Sequence, residues 1–222
     1  SLALIARQAL LPATAAALFC LAAVRLGGAL GRRALGRAPE PALAFGLGLA
    51  AFGTAFFFQG LASGFSPWGL RATAAAVIGC LLLPATEQRL DQPAGELPAW
   101  RPLAAAALAF AGFHAVAQAL APSTEWDCLA YHLAIPKLYL KAGGVVELPW
   151  LIHSHWPHLM ETLYALPLGL GIEPAAALLH AACAAAFVWT AWLMGREHAG
   201  EPTAWLAAAI LAAQTRLLDV VG

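Results

Sequence analysis

Residues 41–62 read PALAFGLGLAAFGTAFFFQGLA, a run without a single charged side chain. A helix of roughly 20 apolar residues crosses a bilayer core about 30 Å thick. Comparable apolar runs lie on both sides of it, at about 8–30, 69–86, 102–121, 173–194 and 203–222. The sequence therefore predicts an all-α, polytopic transmembrane helix bundle of about six spans, the last of which is cut short at Gly222.

The composition of the whole chain agrees with these runs. Of its 222 residues, 61% are hydrophobic and 11% are charged, and the mean hydropathy is +0.73. Twelve Lys and Arg balance twelve Asp and Glu, so no net charge attracts nucleic acid. We expect an integral membrane protein, and we interpret the chain as part of a longer one because it starts with Ser1 and stops inside an apolar run.

Two sequence features bear on how the spans pack. The four cysteines have no metal-ligand spacing, and three of them lie within apolar runs, where cysteine serves as a small hydrophobic residue. We therefore expect no disulfide framework. Gly27-xxx-Gly31 and the glycines at 46–53 let helix backbones approach closely. We expect these glycines to serve packing within the protein and not a dimerisation face.

The distribution of arginine predicts the orientation of the spans. Short connections at 31–40, 87–101 and 195–202 contain arginine, whereas 63–69 has no charge. Cytoplasmic loops carry an excess of Lys and Arg. We therefore expect four spans within 1–121, an extracytoplasmic loop at 122–172 and further spans within 173–222. The richness of the sequence in Ala, Arg and Gly suggests a bacterium with a GC-rich genome. We then expect the loop to face the periplasm or exterior.

Most of the polar chemistry lies in the outer loop, PSTEWDCLAYHLAIPKLYLKAGGVVELPWLIHSHWPHLMETLYALPLGLG at 122–171. Ser123 or Thr124 is a cap for a helix from about Glu125 to Ala142, which Gly143-Gly144 ends and Pro136 kinks. A second short helix is expected from Pro157 to Leu166. The apolar residues and tryptophans of the loop predict amphipathic helices that lie along the membrane surface.

Two carboxylates begin the first loop helix. Glu125 and Asp127 could act as a general base or hold a divalent cation such as Mg²⁺ or Mn²⁺. Alternatively, Thr124-x-x-Asp127 fits a capping box, in which the carboxylate serves only the helix end. The spacing alone leaves both interpretations open.

Histidines and one acidic residue follow. His153, His155 and His158 could bind a metal, orient an anionic ligand or bond to backbone and lipid phosphate. Glu161 lies in the apolar stretch LMETLYAL, where a buried carboxylate needs a partner. We expect His158 or Lys137 to be that partner.

Basic residues and a cysteine complete the candidate set. Lys137 and Lys141 are one turn apart, as in a phosphate-binding pair, although both could instead snorkel to lipid headgroups. Cys128 and His132 share a helix face like half of a zinc site, but no second pair is evident.

The loop residues together resemble a known family. The pattern E-W-D-x-L-x-Y-H-L-x-x-P-K-x-Y-L at 125–140, followed by a glycine break and S-x-x-P-x-x-x-E-x-L-Y at 154–164, resembles the first periplasmic loop of polytopic bacterial glycosyltransferases. These belong to the GT-C superfamily, with the protein O-mannosyltransferases, the aminoarabinose transferases of lipid A and the oligosaccharyltransferases. The resemblance covers about 50 residues of the chain.

The resemblance implies transfer of a sugar from a polyprenyl-phosphate donor to a lipid, glycan or protein acceptor, with inversion. In this interpretation Asp127 is the catalytic base, or holds a divalent cation together with Glu125, and Lys137 is the countercharge for phosphate. The remaining candidates for substrate binding are Glu125, Tyr131, His132, Lys137, His155, His158 and Glu161. Membrane lipids are the other expected partners.

Two alternatives from other classes remain. A secondary transporter would use the ionisable residues that interrupt the spans, namely His114, His180, Arg216 and Asp219. Arg216 and Asp219 are three residues apart, so a simple ion pair also explains them. The second alternative is a noncatalytic membrane scaffold, in which residues 125–141 tolerate substitution.

Overall fold

The computed structural model describes residues 6–85, 97–156 and 158–214, and all regular secondary structure in these ranges is helical. The α-helices are α1 (Leu11–Leu35), α2 (Pro41–Leu61), α3 (Pro67–Gly79), α4 (Arg101–Leu120), α5 (Ala134–Ala142), α6 (Leu159–Gly169) and α7 (Pro174–Ala212). Short π-helical segments, Ala6–Leu10 and Cys128–His132, precede α1 and α5, and 3₁₀ segments lie at Cys80–Leu82 and Ile152–His155. The predicted all-α class is confirmed.

Four helical stretches in the described part of the chain are long and apolar enough to cross a membrane. They are Arg7–Leu35, Pro41–Leu61, Arg101–Leu120 and Pro174–Ala212. The outward surface of α4 is apolar, since Leu103, Phe110 and Phe113 are largely exposed. Such a surface suits lipid contact and would be a liability in water.

The third predicted span is shorter than the pattern suggested. Helix α3 and its 3₁₀ extension cover Pro67–Leu82, which is below the roughly 20 residues that cross a bilayer core. The carbonyl groups beyond its end are bound by α1: Arg25 donates to the Leu83 carbonyl at 2.5 Å, and Arg32 donates to the Pro84 carbonyl at 3.3 Å. These bonds satisfy polar groups that a short helix leaves open.

The last predicted connection forms a sharp corner within α7. Gly200 has φ 82° and ψ 178°, a conformation that favours glycine, and Gly195 packs directly against the backbone of Ala204. Because these two residues are nine positions apart, the chain must reverse between them. Buried Glu201 forms an ion pair with Arg196, whose Nε lies 2.8 Å from Oε1, and accepts a hydrogen bond from Trp205 at 3.2 Å. The two apolar runs are thus separate helical segments; Arg216, Asp219 and the rest of 215–222 lie outside the described residues.

Small residues bring α1 and α2 into close contact. A Cβ atom on Gly27 would overlap the Ala44 carbonyl oxygen, and one on Gly48 would overlap the Ala23 carbonyl oxygen. Phe19 and Phe52, whose ring centroids are 5.2 Å apart, fill the same interface further along. The glycine spacing therefore serves packing within the protein, as expected.

A glycine turn connects the loop at 122–172 to the preceding helices. Gly143, with φ 80°, ends α5 as predicted, and Gly144 has no room for a Cβ atom because it lies against the Gly60 carbonyl. The Val145 amide donates to the Gly60 carbonyl at 2.9 Å, and the Phe65 amide donates to the Gly143 carbonyl at 3.0 Å. The loop is therefore bonded to the α2–α3 connection.

The first loop helix differs from its prediction. It is divided into the π-helical segment Cys128–His132 and α5, because Pro136 in the first turn of α5 has no N–H for the His132 carbonyl. Of its apolar residues, Leu133 and Ile135 are buried, Leu138 and Leu140 pack against the same core, and Leu129 is exposed. Most of its apolar face therefore contacts protein, and its position along the membrane surface stays a prediction.

The second loop helix, α6, packs along α2. The Thr162 hydroxyl lies 3.4 Å from the Gly53 carbonyl oxygen, and Gly53 has no space for a Cβ atom because of Leu159. Helix α6 continues through Pro167 to Gly169, so the predicted end at Leu166 is wrong. Its predicted first residue, Pro157, lies outside the described residues.

Candidate functional site

Asp127 lies at the exposed beginning of the loop's first helical segment. It precedes Cys128–His132 and makes no side-chain capping hydrogen bond to that segment. The Tyr131 hydroxyl is one turn further on. Burial raises the pKa of Tyr131, and the charge and hydrogen bonding of the Asp127 carboxylate raise it further. Tyr131 is therefore protonated at neutral pH and can donate to Asp127.

Four rings surround this turn and form what we term the aromatic cluster: Trp126, Tyr131, His153 and Trp156. Tyr131 and His153 stack with centroids 4.3 Å apart and planes 5° apart. Trp156 meets both rings edge-on, at 5.9 Å and 4.9 Å, and Trp126 meets His153 at 6.1 Å. Trp126 and Trp156 remain 68% and 54% exposed, so both leave aromatic surface open.

A second group contains His132, His158 and Glu161, and we term it the buried cluster after its buried carboxylate, although the His132 side chain is 32% exposed. His132 Nδ1 lies 2.7 Å from Glu161 Oε1, and His158 Nδ1 lies 3.6 Å from Glu161 Oε2. Glu161 is only 6% exposed. Neither ring nitrogen of His158 has a hydrogen-bond partner among the described residues. The cluster joins the segment that carries Asp127 to α6.

The histidines keep Glu161 ionised. Burial raises the pKa of this carboxyl group, but the hydrogen bond with His132, its own backbone hydrogen bond and the nearby imidazoles outweigh burial. The pKa of Glu161 therefore lies below the ordinary value of 4.5. At neutral pH the carboxylate accepts the His132 hydrogen bond in its charged form, which is the stronger form of that bond.

Of the two predicted partners of Glu161, His158 is confirmed and Lys137 is wrong. His158 is near Glu161, but Lys137 is not its partner: Lys137 Nζ lies 2.9 Å from Glu173 Oε2, with both side chains about half exposed. The reason is helical geometry, because Lys137 is on the face of α5 opposite buried Ile135. The closest partner, His132, was not predicted for this role.

The other candidates lie apart from the buried cluster. Glu125 and His155 are exposed, and Lys141 is exposed at the end of α5. Among the described residues, no group of three or more His, Cys, Asp or Glu side chains is placed to hold a metal ion. A cation held by Glu125 and Asp127 stays a prediction, and His132, half of the suggested zinc pair with Cys128, is bonded to Glu161.

Two polar contacts were not predicted at all. The Tyr164 hydroxyl and His180 Nδ1 are 2.8 Å apart and join α6 to α7. Glu173, at the start of α7, pairs with Lys137. His180 was noticeable because it interrupts an apolar run, yet nothing in the sequence indicates that Tyr164 is its neighbour.

Removing the charge of Glu161 is expected to destabilise the protein at neutral pH. Because its pKa is lowered on folding, the charged group contributes stability that is complete above about pH 4.5 and is lost as pH falls through the lower, folded pKa. Glu161→Gln should therefore cost on the order of 1–3 kcal/mol at pH 7. The difference from wild type should shrink at acidic pH. Thermal unfolding in detergent from pH 3 to 7 measures both.

Glu147→Gln is the matched control, because Glu147 is an exposed carboxylate of the same loop. It should change stability by less than about 0.5 kcal/mol at any pH in this range. A Glu161→Gln protein whose deficit is the same at pH 3 and pH 7 would show that the charge of Glu161 does not contribute to stability.

Chemically, the loop at 122–172 offers an exposed carboxylate, a phenol that donates to it and open aromatic faces, next to the buried Glu161 carboxylate and its hydrogen bond with His132. Compared with protein-family models, with curated proteins and with solved structures, the chain gives no match. No known protein therefore indicates the function of this chain.

Proposed function

We propose that this protein is a membrane glycosyltransferase that moves a sugar from a polyprenyl-phosphate-linked donor to an acceptor at the outer face of the membrane, with inversion. The observation that carries the proposal is the exposed Asp127 carboxylate, held beside Tyr131 on a loop that is docked to long apolar helices. The resemblance of 125–140 and 154–164 to GT-C loops supports the same activity.

Asp127 is the proposed base. An acceptor hydroxyl attacks the anomeric carbon, its proton passes to Asp127, and the bond to the phosphate oxygen breaks with the electron pair leaving on phosphate. The leaving group is already a stable anion, so the enzyme has mainly to orient the two substrates and deprotonate the acceptor. An exposed carboxylate suits this role because an acceptor can reach it.

Charge compensation at the phosphate is the second requirement. Lys137 is half exposed and paired with Glu173, so its ammonium group is held near the start of α7 and remains open to an anion. Glu125 and Asp127 offer carboxylate oxygens, the ligand class of Mg²⁺ and Mn²⁺. A bound cation would supply further positive charge for the phosphate. His132, His155, His158 and Glu161 complete the proposed binding region.

The proposed location is the plasma membrane of a bacterium, where about six spans would leave residues 122–172 on the periplasmic side. Four helices with the length and apolar character of spans support an integral membrane protein. The arginine-containing short connections support the orientation. The acceptor would be a lipid, a glycan or a protein of the cell envelope.

The test is sugar transfer by membranes that contain the full-length protein. Polyprenyl-phosphate sugars with radiolabelled mannose, glucose or aminoarabinose serve as donors, and the matching nucleotide sugars serve as controls without a lipid. We expect label to enter an envelope acceptor from at least one lipid-linked donor and not directly from the nucleotide sugars. Solute uptake by proteoliposomes, with no transfer from any donor, would instead favour the transporter.

A further inference from the structure

The aromatic cluster contains two exposed tryptophans. Resting on the proposed glycosyltransfer, we infer that Trp126 and Trp156 form a stacking platform for the ring of the sugar that is transferred. His153 contacts both indoles and Tyr131 contacts Trp156, and the Tyr131 and His153 rings stack with their planes 5° apart. The ligand class is a pyranose or furanose carried on a prenyl phosphate.

Position is the first argument. Trp126 directly precedes Asp127, and Tyr131 follows one turn later. Transfer requires the acceptor hydroxyl to lie about 3–3.5 Å from the anomeric carbon and also within hydrogen-bond reach of the base. The donor sugar must therefore lie next to Asp127, which Trp126 directly precedes in the chain and whose hydrogen-bond partner Tyr131 contacts Trp156.

Surface chemistry is the second argument. The face of an indole ring is electron-rich, and the C–H groups on one face of a sugar ring are weakly positive, so the two attract each other. The hydroxyl groups at the sugar's edge need polar partners, which the Asp127 carboxylate and the Tyr131 hydroxyl provide. A lipid tail could contact the rings but has no hydroxyl groups to offer this carboxylate and phenol.

Rigidity is the third argument. Trp156 contacts Tyr131 and His153 edge-on, so its orientation is held by its neighbours before any ligand arrives. Trp126 is held through His153 in the same way. A platform that is already ordered loses little conformational entropy when it binds.

The same loop contains a natural control. Trp150 is 74% exposed, more than either platform residue, and lies outside the aromatic cluster. Anchoring at lipid headgroups would make all three tryptophans comparable. Binding of a sugar would instead require Trp126 and Trp156 for affinity, and would not require Trp150.

The experiment measures binding, so that it is independent of catalysis. The purified full-length protein in detergent is titrated with farnesyl-phosphate esters of mannose, glucose and aminoarabinose, and with farnesyl phosphate that carries no sugar. The variants are Trp126→Leu, Trp156→Leu and Trp150→Leu. We expect wild type to prefer one sugar ester over farnesyl phosphate, and each platform variant to lose about fivefold or more of that preference.

The outcomes separate the two levels of the argument. Affinity for farnesyl phosphate itself should stay unchanged in all three variants, and Trp150→Leu should bind like wild type. Equal losses in all three variants, or none in the platform variants while wild type still transfers sugar, would overturn the platform and leave the proposed function standing. A wild-type protein that neither prefers a sugar ester nor transfers sugar would overturn both.

Discussion

Asp127→Asn is expected to lower the rate of sugar transfer by about 10²–10⁴-fold, the usual contribution of a positioned base. The amide has the shape of the carboxylate and can still accept a hydrogen bond from Tyr131, but it cannot take the acceptor's proton. Because Asp127 is exposed and makes no capping bond to Cys128–His132, folding should be unaffected. The measurement is kcat for the preferred donor, together with the amount of inserted protein.

Two comparisons make this result specific. Glu147→Gln removes another exposed carboxylate from the same loop and should retain wild-type turnover. The affinity of Asp127→Asn for the sugar donor should stay within a few-fold of wild type, since the loss belongs to the chemical step. If Asp127→Asn transfers sugar at the wild-type rate, Asp127 is not the base.

The second large effect is expected at the contact between α1 and α2. Gly48→Ala should destabilise the protein by about 3 kcal/mol, because the added methyl group would overlap the Ala23 carbonyl oxygen and the two helices would have to separate. This loss should appear even though alanine is a better helix former than glycine by about 1 kcal/mol. Reversible unfolding in mixed detergent micelles measures the difference in the free energy of unfolding.

Gly46→Ala is the control for this substitution. Gly46 lies in the same helix, and a Cβ atom there would have open space around it. The same chemical change should therefore be neutral or stabilising by up to about 1 kcal/mol. Equal destabilisation at positions 46 and 48 would show that glycine flexibility, and not close packing, explains these residues.

The sequence alone determined the features that depend on neighbouring residues. Apolar runs predicted the helical character of every described span region, because crossing a bilayer is a matter of local length and hydropathy. Gly143 marked the end of α5, because its left-handed backbone conformation favours glycine. The need of Glu161 for a partner was also evident, since an isolated buried carboxylate is costly.

Only the tertiary structure decided which distant residues meet. His132 is the closest partner of Glu161 although 29 positions separate them, and Lys137 turns away because the opposite face of α5 is buried. Tyr131 and His153 are distant in the sequence but become stacked neighbours in the fold. Periodicity indicates which face of a helix is apolar, but the partner of that face depends on how all the helices pack.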